Sequence, residues 1–344
     1  MRLIGALHFL CLLIHSESLA MSKEPIDYVD HFLGTSSSRW MLYPGPSMPF
    51  GLVKLSPDNV DESRMDAGYE YSIESIAGFG IIHSWAMGSF LTMPTTGPIQ
   101  IDPGTKDNPD VGYRSRFRHE FEEASPGYYS VLLDDYQIKA ELTTTTRTGV
   151  QRYTFPPKNN ANILFDLQIP EEDRPTMVHA EICKVNDREI TGQVRRQTGW
   201  NDYTIHFVTR FSQPFASLHG WKGKEILRDI DTISAVDNND IGAWIDFSTQ
   251  ASRTVVLKTG VSFVSIEQAR LNLEVETKPF GWDFDAIRHH AARTWNDVLS
   301  KIRVEGGTEI GKIKFYTNMY RSYCARTIFS DVNGQYRDMY EQCQ

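Results

Sequence analysis

Between Tyr128 and Val264 the sequence alternates between short runs of strand-forming residues and clusters of turn formers. The runs include YYSVLL (128–133), QIKAELTTTT (137–146), VQRYTF (150–155), NILFDL (162–167), DYTIHFVTRF (202–211) and TVVLKTGVSFV (254–264). Val, Thr, Tyr, Phe and Ile dominate them, and these side chains fit a pleated, half-buried surface. Successive side chains of a strand point to opposite faces. Tyr203, Ile205, Phe207 and Phe211 therefore share one face, broken by Thr209. Pro156-Pro157, Asn159-Asn160 and the stretch Asp237 to Asp240 separate the runs as turns. Many short strands with turns between them predict a β-sandwich rather than a parallel sheet.

The pattern changes after about Ala269. In FDAIRHHAARTWNDVLSKI (284–302), the residues Phe284, Ile287, Ala291, Trp295, Val298 and Ile302 recur at helical spacing, and Asp283 stands where an N-cap belongs. Gly306-Gly307 break the chain, and a second helical stripe follows at Ile313, Tyr316, Tyr320, Tyr323 and Thr327. Two helices cannot bury their apolar faces alone. They either pack on the sandwich or open a helical domain that continues elsewhere. MYEQCQ (339–344) carries no helix terminator, which favours the second expectation. An apolar face exposed on these helices, with aggregation or poor expression, is its corollary.

The 344 residues carry a net charge of −9 and no basic run, so a nucleic-acid partner is not expected. Residues 1–20 read as a signal peptide: Arg2 gives the positive start, Leu3 to Ile14 the apolar stretch, and Ser16 to Ala20 the small residues near a cleavage point. That stretch is too short to span a bilayer, and no later segment is apolar for long enough. The expected product is secreted. Without Cys11, an odd set of Cys183, Cys324 and Cys343 remains, which allows at most one bridge. No cysteine or histidine cluster has zinc spacing.

The densest functional signal precedes the strand-rich run. HFLGTSSSRWMLYPGPSMPFGLVKLSPDN (31–59) interleaves Gly34, Gly45 and Gly51 with Pro44, Pro46, Pro49 and Pro57. Such a stretch fixes backbone directions and can be neither a long helix nor a central strand. It either wraps the sandwich or shapes a site. GYEYSIESIAGFGIIHSWAMGSFLTMPTTGP (68–98) holds His83 and Trp85 among small residues. An indole can stack on the C–H face of a sugar while an imidazole bonds a hydroxyl. Read singly, His83 also fits a satisfied structural histidine, and Trp85 also fits core packing.

HFLGT…YPGPSMPFGLVKLSPD and GYEY…IAGFGIIHSWAMG…MPTTGP together resemble the N-terminal signature of glycoside hydrolase family 92. FYTNMYRSYCARTIFSDVNGQYRDM (315–339) resembles that family's entry into its helical domain, and GWDFDAIRHHAARTWNDVLSKI (281–302) its linker helix. The resemblance implies a mainly β fold: a galactose-mutarotase-like sandwich over 26–268, a linker with a helix over 269–306, and from 307 the first helices of an (α/α)6 barrel cut short at 344. It implies a calcium-dependent, inverting exo-α-mannosidase acting on mannose-containing glycans. In such an enzyme two carboxyl groups stand roughly 6.5–9.5 Å apart to admit water. The family takes its acid, its base and most calcium ligands from later in the barrel, so no catalytic residue is expected here and the main ligands are expected beyond residue 344. The substrate-facing candidates are Trp85, His83, Pro44, Gly45 and Asp331. Asp331, in SDVNG, matches a position that binds mannose hydroxyls, while Asn333-Gly334 beside it is also a plain turn signal. Gly80 departs from the family, where a serine is common. Two other readings are a non-catalytic, lectin-like sandwich and a truncated paralogue.

Overall fold

The computed structural model describes residues 23–37, 42–59, 68–84, 87–157, 161–168, 176–197, 202–237, 239–248, 252–338 and 342–344. The expected signal peptide lies outside the described residues. Two antiparallel sheets form the body. One has nine strands, in the order Thr232–Val236, Thr176–Asn186, Glu189–Gln197, Asp202–Phe211, Thr254–Ser262, Thr148–Thr154, Ile138–Thr144, Tyr128–Leu133 and Glu122–Ser125. The other has seven, in the order Ser56–Asp58, Gly78–Gly80, Leu91–Thr96, Ala161–Asp166, Ile241–Phe247, Leu218–Lys222 and Glu225–Leu227.

The sheets face each other across one aromatic core. Phe79 meets Tyr153, Phe90 meets Phe207, and Phe211 meets both Phe165 and Phe247. The expected face of Asp202–Phe211 points inward, with Ile205, Phe207 and Phe211 buried. Thr209 lies on that same face and is fully buried, its hydroxyl 2.9 Å from that of Thr259 on the neighbouring strand. The sandwich begins earlier than the repeating strand pattern suggests, because Leu91–Thr96 is an interior strand of the seven-stranded sheet. Its Pro94 hides it from pattern reading. The neighbouring Gly78–Gly80 pairs only with Leu91 and Thr92, so Pro94 lies past the end of that ladder.

Three helices follow: α1 (Ile266–Thr277), α2 (Phe284–Leu299) and α3 (Glu309–Cys324). All three start on a side-chain cap, with Ser265, Asp283 and Thr308 accepting from the backbone N–H three residues on. Residue periodicity does not single out α1, because its buried face mixes Ala269 and Leu273 with Asn272 and Thr277. Ala269 and Leu273 pack on Val208 of the nine-stranded sheet. Phe284 and Ile287 of α2 pack on Tyr128, Val150 and Val256 of that same sheet. The far end of α2 turns to α3, where Trp295 and Leu299 meet Tyr316, Tyr320 and Cys324. The stripe ends on Leu299 rather than on Ile302, which lies past the helix and is exposed.

The helices thus rest on the sandwich. They also leave Ile310, Phe315, Ile328 and Phe329 exposed, so part of the expected apolar face is present. No described helix is long and apolar enough to cross a membrane. Cys183, Cys324 and Cys343 are all unpaired.

Trp295 is fully buried, and its indole N–H donates to the Ser47 carbonyl at 2.7 Å. Phenylalanine would fill most of the space and leave that carbonyl without its donor. Trp295→Phe should therefore lower unfolding stability by about 1–3 kcal/mol in urea denaturation, the cost of a buried unsatisfied polar group.

Candidate functional site

The Gly- and Pro-rich stretch lies between the sandwich and the helices. Its backbone is pinned on one side by the sandwich: Leu52 and Val53 N–H donate to the Thr146 carbonyl, and Lys54 N–H to that of Ile81. On the other side, Phe50 N–H donates to the Tyr323 carbonyl and Ile328 N–H to that of Phe50. The Ser47 hydroxyl lies 3.1 Å from the Cys324 thiol, and burial pushes that thiol up to about 11. Pro44 supplies the carbonyl that faces His31 Nδ1 at 3.1 Å. Gly45 sits where no side chain fits: a Cβ there would stand 2.0 Å from the Leu55 carbonyl oxygen and 2.5 Å from Ser56 Cα. Only glycine allows so close an approach of two backbones.

His83 is buried, with Nδ1 at 2.7 Å from the Lys54 carbonyl and Nε2 at 3.2 Å from Asp58 Oδ1. A carbonyl can only accept, so Nδ1 carries a proton and donates. Asp58 Oδ2 accepts from Gly80 N–H at 2.8 Å. A Cβ on Gly80 would lie 2.5 Å from that oxygen and 3.0 Å from His83 Cε1. The glycine at this position is thus the one residue that lets the Asp58–His83 pair close. Both ring nitrogens of His83 are engaged within the protein. The ring is thus held by the protein's own acceptors. Trp85 lies outside the described residues.

The sequence motifs do not point to Lys54. It is completely buried, and its ammonium donates to Ser84 Oγ at 2.9 Å and to Thr327 Oγ1 at 2.6 Å. One cation thus joins the loop that carries His83 to the segment after α3. Among the described residues no carboxylate pairs with it, and burial lowers its pKa from 10.5 to about 8. A lysine inside the apolar run GLVKL (51–55) was the available signal.

Four residues past Thr327, Asp331 is buried, with its Oδ2 accepting from Ser262 Oγ at 2.9 Å and its Oδ1 from Asn272 Nδ2 at 2.6 Å. Asn272 Oδ1 in turn accepts from Val332 N–H at 2.8 Å. Burial raises the Asp331 pKa above the usual carboxylate value, and its two donors hold that rise back. The turn itself closes where the sequence marks it, with Gly334 N–H donating to the Asp331 carbonyl at 2.9 Å. Pro44, Gly45 and His83 therefore share one wrapped loop system, and Lys54 ties it to the segment that leads to Asp331. Among the described residues no group of three or more His, Cys, Asp or Glu side chains could hold a metal ion. These residues alone do not fit a calcium site, which needs several oxygen ligands.

Models of two domains meet at this junction. That of the glycosyl hydrolase family 92 N-terminal domain matches residues 28–262, and that of the glycosyl hydrolase family 92 catalytic domain matches residues 268–344. The chain belongs to glycosyl hydrolase family 92. A family GH92 alpha-mannosidase from Bacteroides thetaiotaomicron, solved also in complex with mannoimidazole, superposes with a TM-score of 0.86 at 31% identity, over 94% of this chain and 44% of its own. A second family glycosyl hydrolase gives 0.80 at 27% identity, over 93% and 44%. A curated relative from Arthroderma benhamiae, described as an uncharacterized secreted glycosidase, is 24% identical over 334 residues, covering 89% of this chain and 42% of its own. The chain spans less than half the length of these relatives.

The buried ammonium has a consequence for stability. The unfolded chain holds the Lys54 proton up to 10.5, whereas the folded chain releases it from about 8. Stability rises with pH wherever the unfolded state binds more protons. Lys54 therefore costs stability below pH 8, and this cost is relieved as pH climbs to 10.5. Relative to Lys54→Met, the unmodified chain should gain about 3 kcal/mol between those limits, measured by urea unfolding at each pH.

Proposed function

We propose that this chain forms the sandwich wall and the first helical loop of an α-mannosidase active site. The site removes terminal α-linked mannose from secreted or secretory-pathway glycans by an inverting mechanism. The observation that carries this reading is the Lys54 bridge. It fastens the His83 loop of the sandwich to the segment that leads to Asp331, at the boundary between the two family domains. The mannoimidazole complex of the 31%-identical relative supports mannose as the sugar.

In this reading Trp85 presents a stacking face, and His83, its ring held by Asp58 and the Lys54 carbonyl, stands two residues before it in the chain. Pro44 and Gly45 set the rim through their tight backbone contacts with His31, Leu55 and Ser56. Asp331 receives sugar hydroxyls through lone pairs that Ser262 and Asn272 leave unused, since each carboxylate oxygen can take two donors. The general acid, the general base and the calcium ligands come from catalytic-domain residues outside this chain. Calcium would hold mannose hydroxyls and favour ring distortion.

Turnover of p-nitrophenyl α-mannoside separates this reading from a lectin-like module. The chain ending at 344 should show no turnover. A version extended through the rest of the catalytic domain should show turnover that a calcium chelator abolishes. Activity of the extended protein that is indifferent to chelation, or no activity on any α-mannoside, contradicts the proposal.

Within the extended protein, Asp331→Asn should reduce kcat/KM by about 10- to 100-fold, the usual worth of a charge-assisted hydrogen bond. Trp85→Ala should weaken mannoimidazole binding at least about tenfold by isothermal titration. Unchanged affinity would remove Trp85 from the sugar wall.

A further inference from the structure

The helices pack on the nine-stranded sheet, whereas a separate cavity of about 290 Å³ is built on the seven-stranded one. It lies where Gly97, Pro98 and Ile99 leave the strand Leu91–Thr96, and Arg228 stands on its other side. Strand register explains its polar floor. Asn162 lies directly opposite Asp246, and Trp244 lies opposite His219, in antiparallel pairs. Directly paired residues share a face, and so do residues two apart on one strand. The row Asn162, Asp246, Trp244 and His219 therefore occupies one side of the sheet.

The carboxylate in this row is oriented. His219 Nδ1 accepts from Asp229 N–H at 3.0 Å, so its proton sits on Nε2, which donates to Asp246 Oδ2 at 2.9 Å. His219 also stacks on Trp244, with ring centroids 4.9 Å apart. Among the described residues Asp246 Oδ1 takes no hydrogen bond, and the Arg228 guanidinium makes no ion pair. That guanidinium lies over the Trp244 ring, 5.7 Å from its centroid. Thr95, which pairs directly with Asn162, keeps a buried hydroxyl with no hydrogen-bond partner. A cavity thus gathers an open acceptor, an open donor fork and an amide above apolar walls.

The charges select the ligand class. An anion that pairs with Arg228 meets Asp246, and a cation that pairs with Asp246 meets Arg228. A neutral molecule with adjacent hydroxyls satisfies both, because a hydroxyl donates and accepts. The volume is at the lower end of ligand pockets, which suits one ring and not a chain of them. We propose that this cavity is a second ligand site that takes a single neutral sugar residue. In it Asp246 accepts from one hydroxyl, Arg228 and Asn162 donate to its neighbours, and Ile99 and Trp244 line the C–H face. It shares no residue with the mannosidase reading and does not depend on it.

The test uses this chain. Methyl α-mannoside, methyl β-glucoside, methyl β-galactoside and N-acetylglucosamine are each titrated to about 50 mM, the range of weak single-site binding, by saturation-transfer NMR. At least one should bind, and Arg228→Ala and Asp246→Asn should each weaken it tenfold or more. Trp85→Ala and Asp331→Asn should leave that binding unchanged, which separates this cavity from the proposed mannose pocket. Arg228 is exposed, so its variant should fold even where Asp246→Asn does not, and thermal melting checks both. No binding by any of the four sugars overturns the proposal. So does binding that survives Arg228→Ala, or inorganic phosphate competing at the same site.

Discussion

Residues 42–59 run through the seam between sandwich and helices, where every backbone polar group they bury must find a partner. A regular strand would satisfy those groups on one neighbour. This stretch divides them, with the sandwich taking Leu52, Val53 and Lys54 and the helical side taking Phe50. The prolines reduce the number of donors to be satisfied, and Gly45 permits the approach of Leu55 and Ser56. Trp295 then caps the Ser47 carbonyl from α2. While α1 and α2 rest directly on the nine-stranded sheet, the position of α3 against the sandwich, and so the shape of anything bound at the seam, depends on this segment.

Much of the sandwich was legible in the residue pattern, and the reason is local. Tyr128–Leu133 and Asp202–Phe211 appear in the structure with the ends their alternation predicts, because one side of each strand is core. Leu91–Thr96 was not legible, since a proline in an interior strand needs a neighbour that stops short, and neighbours are a tertiary fact. The α1 helix was missed for a similar reason. Asn272 breaks its apolar stripe, yet it is buried because Val261, Asp331 and Val332 all bond to it.

The site was legible in its residue types and not in its wiring. His83 and Asp331 stood out by their surroundings in the chain. Nothing near His83 in sequence announces Asp58 and the Lys54 carbonyl as its partners, and nothing near Asp331 announces Ser262 and Asn272. Lys54 shows the limit most plainly. The apolar run GLVKL (51–55) marks its surroundings as buried, but only the fold shows two hydroxyls from distant segments converging on its ammonium. Two domain models that meet between residues 262 and 268 describe the same seam from outside.

The seam also sets an order of events during synthesis. Phe50 waits for Tyr323 and Ile328, and Ser47 waits for Trp295 and Cys324, more than two hundred residues downstream in each case. A ribosome adding 5–20 residues per second leaves these early groups without partners for tens of seconds. The strands between them can pair in the meantime, so the first part of the chain to emerge is among the last to settle. Contacts of such long sequence separation slow folding. The nascent chain therefore carries an unsatisfied leading segment until α3 emerges, a natural client for a holding chaperone over that interval.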